Sequence, residues 1–221
     1  MQIANIAEII VCIISAFYYQ KIKNSFLKWA PFYLFFVSIG ELMAHYYAGL
    51  PNNYIYLIIT ILSILFYNHS FYQLLQVRKK IQKLIIILSS ILLVESLYLI
   101  LFMAHHQSDT YYLLIAMGIE LSVIACIYLY DIFLSDDMHV LLIKQSGFWM
   151  AAGVLLFFSG MCFTFAISPI ALKYDLKIFD TYLLNFIPRT LSVILYSFIA
   201  VAVILYKPTT EKTSRLANTF Q

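Results

Sequence analysis

The chain has 221 residues, of which 63% are hydrophobic and 11% charged, with a formal net charge of +3 and a mean hydropathy of +0.87. A soluble domain carries about 25% charge, and apolar runs this long and this frequent do not fit inside a soluble core, so a water-soluble enzyme is excluded. Six glycines and five prolines leave no room for a collagen-like or low-complexity chain, and the small positive surplus sits beside interfacial aromatics, which gives nucleic-acid binding no support.

Windows long enough to cross a hydrocarbon core of ~30 Å predict seven spans: Ile3 to Tyr19, Pro31 to Ala48, Tyr54 to Leu75, Leu84 to Ala104, Tyr111 to Leu134, Phe148 to Ile167 and Tyr182 to Tyr206. A backbone in lipid must satisfy its own hydrogen bonds, and these segments are too long for barrel strands. The expected fold is therefore all-α, a polytopic bundle of seven transmembrane helices forming one domain over 1–206, followed by a polar tail over 207–221. The first span has no charge ahead of it and its lysines after it, so it reads as an uncleaved anchor rather than a signal peptide. Cys12, Cys126 and Cys162 fall inside apolar stretches and read as small packing residues. Gly153 with Gly160, and Gly40 with Ala44, are where helices are expected to approach closely.

Orientation follows from the basic residues. Lys21, Lys23, Lys28, Arg78, Lys79, Lys80, Lys83, Lys144, Lys207, Lys212 and Arg215 fall on one side, against Lys173 and Lys177 on the other. The positive-inside rule then puts the N-terminus outside and the C-terminus in the cytoplasm. Trp29 and Trp149 stand at the cytoplasmic entrances of two spans as parts of an interfacial belt. Asp136 to Lys144, in the longest inner loop, suits a short helix lying in the interface.

Ionisable residues within spans are costly, about 2.5–3.5 kcal/mol at the helix centre, yet Glu8, Glu41, Glu95 and Glu120 lie there, with His45, His69 and Arg189. At ~1.5 Å of rise per residue, Glu8 and His45 fall roughly 5–8 Å below the outer surface, Glu41 and Arg189 about 10 Å, and Glu95 and Glu120 near 15 Å. Glu41 and His45 share a face of span two, as do Asn185 and Arg189 in span seven, where Pro188 interrupts the backbone ladder. The expectation is an outward-opening polar cavity lined by Glu8, Glu41, His45, Glu95, Glu120, Asn185 and Arg189. Within it Arg189 is expected to be the counter-ion, with Glu41 and Glu120 as partners. With one arginine against four glutamates, the surplus carboxylates call for a proton, a cation or a cationic ligand.

Among named mechanisms, a retinal protein needs a lysine in the last span, and Tyr182 to Tyr206 has none. No Gly-x-Ser-x-Gly elbow is present. An intramembrane metal-dependent hydrolase needs three convergent ligands, of which only the His45 and Glu41 pair is legible. A small proton- or cation-coupled transporter is compatible with carboxylates at mid-depth, but no internal repeat supports it. No catalytic residues, metal or cofactor are expected.

Glu41 late in span two, Asn53 and Tyr54 opening span three, the basic loop from Arg78 to Lys83, Phe148 and Trp149 followed by Gly153 and Gly160, and Asn185 in the last span carry a resemblance. In these positions the chain resembles a family of small bacterial seven-transmembrane proteins, some of which accompany sensor kinase systems. The resemblance implies a sensor module or accessory signalling subunit without catalytic activity. Its output would pass to a cytoplasmic kinase or regulator through the short inner loops or the tail.

Overall fold

The computed structural model describes residues 3–46, 52–76, 78–103, 107–134, 142–178 and 181–207. Eight helices occur among them: α1 (Ile3–Phe17), α2 (Tyr19–Ile22), α3 (Ala30–Tyr46), α4 (Asn52–Leu74), α5 (Lys79–Tyr98), α6 (Gln107–Leu134), α7 (Ser146–Lys173) and α8 (Leu183–Leu205). A π-helical turn, Leu99–Met103, extends α5. Windows in α4 to α8 are long and apolar enough to cross a membrane, whereas the apolar stretches of α1 and α3 are shorter, Ala4–Phe17 and Ala30–Ala44. At ~1.5 Å per residue those two fall short of a ~30 Å core.

Large apolar side chains cover the outside: Phe17 is 82% exposed, Leu101 73% and Val94 67%. Such a surface is unfavourable in water and neutral in lipid, which is the signature of a membrane protein.

The packing forms a closed ring. α1 lies against α3, α3 against α4, α4 against α6, α6 against α7, α7 against α8, and α8 returns to α1. α5 stands outside this ring and packs chiefly on α4 and α6. Its inward face is the narrow row Ile85, Leu92, Ser96 and Leu99, and Ile86, Ile87, Ile91, Val94 and Leu97 are exposed on its other sides. The tightest seam, between α7 and α8, is set by glycine: a Cβ at Gly153 would come 2.8 Å from Phe198 Cβ, and one at Gly160 2.6 Å from Leu191 Cδ1.

Polar stitches close the end of the bundle where α1, α4, α6 and α8 finish. Lys21 Nζ donates to the Ile204 carbonyl at 2.7 Å, Ser70 Oγ to the Phe26 carbonyl at 2.9 Å, and Trp149 Nε1 to the Ile143 carbonyl at 2.7 Å. Arg78 pairs with Asp131 at 2.7 Å.

At the opposite end α7 runs further than the span Phe148 to Ile167 expected from sequence. It closes with the Leu176 N–H donating to the Ala171 carbonyl at 3.0 Å, while Asp175 takes a left-handed φ of 50°. This is a Schellman-type stop with Asp in the position that glycine favours. A two-residue hairpin follows, β1 (Lys177–Ile178) paired with β2 (Thr181–Tyr182), so the expected outer loop is largely helix and hairpin. The Asp175 carboxylate, 2.8 Å from Lys177 Nζ, holds that ammonium's pKa above its ordinary value. The pair is exposed and contributes little to stability.

Residues 142–144 form a single 3-10 turn. The rest of the expected interfacial helix, 136–141, and the tail from 208 lie outside the described residues.

Candidate functional site

The six-helix ring encloses a cavity of about 490 Å³, within the range of small-molecule sites. It lies toward the end where α1, α4, α6 and α8 begin, away from the basic end, and every helix of the ring contributes to it.

Helical spacing explains which side chains line it. On α1, Glu8, Val11 and Ser15 are buried at intervals of three and four residues, and Glu8 reaches the cavity. On α3, Tyr33, Val37 and Glu41 follow at four-residue steps; on α4, Tyr56, Thr60, Ser63 and Tyr67 at steps of four, three and four; on α8, Asn185, Arg189, Ser192 and Tyr196 likewise. Residues so spaced share one face of a helix, so these polar groups converge while the opposite faces stay apolar for lipid.

Two of the hydroxyls are satisfied within their own helix: Thr60 Oγ1 donates to the Tyr56 carbonyl and Ser63 Oγ to the Ile59 carbonyl, both at 2.8 Å. Ser63 Oγ also meets Tyr33 OH at 3.1 Å. The Tyr33 ring stacks on Phe66 at 4.4 Å between centroids, and Tyr67 meets Phe158 edge-on at 5.4 Å. The walls are thus rigid aromatic rings held by packing.

The charged groups within this frame are not paired with one another. Glu8 is 2% exposed; Ser38 of α3 is its polar neighbour, but neither Ser38 Oγ nor Glu8 Oε1 has a partner in hydrogen-bonding geometry. Glu41 is half-buried, while Asn185 and Arg189, one turn apart on α8, are exposed. No carboxylate among the described residues comes within 4.0 Å of the Arg189 guanidinium. The expected ion pair of Arg189 with Glu41 or Glu120 is therefore corrected. Pro188 also lines the cavity and has no N–H to offer the Leu184 carbonyl, and its own carbonyl accepts from Ser192 Oγ at 2.8 Å.

Of the residues expected in one cavity, Glu8, Glu41, Asn185 and Arg189 line it together, and Glu95 and Glu120 do not. Glu120 is 7% exposed but lines a separate apolar recess of about 360 Å³ between α5 and α6, beside Asn68 and Ser89. Both its carboxylate oxygens and both amide atoms of Asn68 are buried without partners. Glu95 is half-buried on α5, the helix outside the ring, and lines neither space. The physical reason is azimuth: all four glutamates have similar depth, but α5 does not face the interior, and α6 turns Glu120 towards α5. The side chain of His45 is outside the described residues.

The cavity tyrosines are not among the residues expected from the sequence. Tyr67 and Tyr196 lie in the middle of their helices, where a hydroxyl needs a reason, and that position was the available signal. Among the described residues no three His, Cys, Asp or Glu side chains converge as metal ligands, so the hydrolase reading finds no donor set there. Comparison with protein-family models, curated proteins and solved structures returned no match.

Proposed function

We propose that this chain is an integral membrane sensor or accessory signalling protein that receives a small cationic ligand in the ring cavity and relays its occupancy to a cytoplasmic partner. The observation that carries the reading is Glu8: a carboxylate nine-tenths buried, one oxygen without a partner, in an aromatic-walled cavity shared with Glu41 and free of any ion pair among the described residues. A carboxylate so placed favours whatever brings positive charge to it, and aromatic faces add cation–π attraction for an organic ammonium.

The cavity lies at the end opposite Lys21, Arg78 and Lys144. The positive-inside rule therefore supports an outward opening with the N-terminus outside, and the resemblance to small bacterial seven-span proteins supports seven spans in a bacterial cytoplasmic (inner) membrane. Signal output would pass through the basic end, and the resemblance to seven-span proteins accompanying sensor kinases supports a kinase or regulator as recipient. A second reading, a proton- or cation-coupled transporter, draws support from Pro188, which frees a backbone carbonyl beside the cavity.

The test is binding of organic ammonium ions, phenethylamine and 3-methylbutylamine, to the full chain in lipid nanodiscs by calorimetry. Saturable binding weakened by Glu8→Gln and by Glu41→Gln is expected. An absence of binding by every ammonium tested, amino acids included, would sink the reading. Uptake of the same probes into proteoliposomes would replace the sensor with the transporter.

A further inference from the structure

We infer that the cavity's ligand is a small zwitterion of the amino-acid class, with an apolar body, held by its ammonium at Glu8 and Glu41 and by its carboxylate at Arg189. This rests on the cationic-ligand reading and narrows it. The observation is a bipolar cavity whose two poles have not collapsed on each other: Glu8 and Glu41 come from α1 and α3, Arg189 from α8, all line one space of about 490 Å³, and no ion pair joins them.

Opposite charges attract, yet Arg189 makes no ion pair with Glu8 or Glu41, so each pole is left for a ligand to meet. Glu8 is 2% exposed and its Oε1 is unpartnered, which makes the acidic pole the buried one, while Arg189 is exposed. A ligand carrying one positive charge satisfies the acidic pole alone. A ligand carrying both charges, on groups attached to one carbon, satisfies both, and its own two charges each lose water to a complementary partner.

The Arg189 guanidinium presents a planar fork matched to a carboxylate, and Asn185, one turn earlier on the same face, adds an amide that can donate to the same group. The third requirement, room for a side chain, is met by Met117, Phe157 and Met161 on the α6 and α7 side of the cavity. Methionine and aromatic walls accommodate apolar groups of varied shape. Aliphatic and aromatic amino acids therefore fit better than polar ones.

The experiment uses two matched series with the full chain in nanodiscs: L-leucine, 3-methylbutylamine and 4-methylpentanoate, and L-phenylalanine, phenethylamine and 3-phenylpropanoate. In each series the amino acid is expected to bind at least about tenfold tighter than the amine that lacks its carboxylate and the acid that lacks its amine. Arg189→Gln should remove the amino acid's advantage while the amine binds as tightly or tighter, because a like charge has gone from its cavity, and Arg189→Lys should restore part of the advantage, because the charge remains but the fork does not. Glu41→Gln should weaken amine and amino acid alike.

Amines that bind as tightly as their amino acids would overturn the zwitterion and leave the cationic-ligand reading intact, as would an Arg189→Gln variant that keeps the full amino-acid advantage. Absence of binding in every arm overturns both. Tm of each variant, read in the same nanodiscs, separates a lost contact from a lost fold: an Arg189→Gln protein that melts like the wild type and still discriminates refutes the role of the guanidinium.

Discussion

Glu8 and Glu120 are both buried glutamates with unpartnered oxygens, yet they face different surroundings. Glu8 looks into a cavity with aromatic and polar walls; Glu120 looks into an apolar recess on the far side of α6. A buried carboxylate oxygen kept without a partner costs stability, a cost that on the proposed reading a ligand offsets at Glu8. Glu8→Gln is therefore expected to leave the melting temperature unchanged or raise it, while affinity for phenethylamine falls about tenfold or more. A drop in melting temperature with unchanged affinity would mark Glu8 as structural. Glu120→Gln is expected to leave that affinity within about twofold, and the double variant with Arg189→Gln should show no coupling, since sites without shared contacts add independently. A measured coupling between Glu120 and Arg189 would mean that α6 is turned otherwise.

At the scale of the helix, glycine decides how closely α7 and α8 approach. Both Gly153 and Gly160 lack room for a methyl, but their neighbours differ in stiffness: Phe198 Cβ is fixed to the backbone, while Leu191 Cδ1 is the end of a rotatable chain. Gly153→Ala should accordingly destabilise by about 1–3 kcal/mol, as overpacking does, and Gly160→Ala by clearly less. Thermal unfolding of the two variants in one detergent checks the order, and equal losses would refute the stiffness argument. The small-residue spacing that marks this seam was legible in the chain, because close approach in lipid depends on residue size alone. The end of α1 was not. Its predicted span of Ile3 to Tyr19 runs over a turn at Tyr18 that hydropathy windows do not register, and the helix ends at Phe17.

For the whole molecule, the ring and its satellite α5 make two predictions. The outer face of α5 is 57% exposed at Ile91 and 67% at Val94, so Val94→Asp should cost about 2.5–3.5 kcal/mol of insertion free energy and lower the amount of chain recovered in membranes. If that face were in water the same change would be nearly silent. A reporter fused after Lys83 should read as cytoplasmic, since Arg78, Lys79, Lys80 and Lys83 crowd the α4 to α5 connection. An extracellular reading would invert the bundle and turn the cavity inward.

The sequence by itself determined the apolar character of the helices, the place of each costly polar residue along its helix and the small-residue seam. These depend on composition and on a rise per residue that is the same in every α-helix. Depth is one coordinate of three. Which way each helix turns, and whether it stands in the ring or outside it, is decided by the packing of all its neighbours at once. Only the tertiary structure therefore separated Glu8, Glu41, Asn185 and Arg189, which meet in one cavity, from Glu120, turned toward α5. It also separated them from Glu95, carried on the helix left outside. Nor does Arg189 pair with the glutamates that depth had assigned to it, because a shared depth does not bring side chains of different helices into contact.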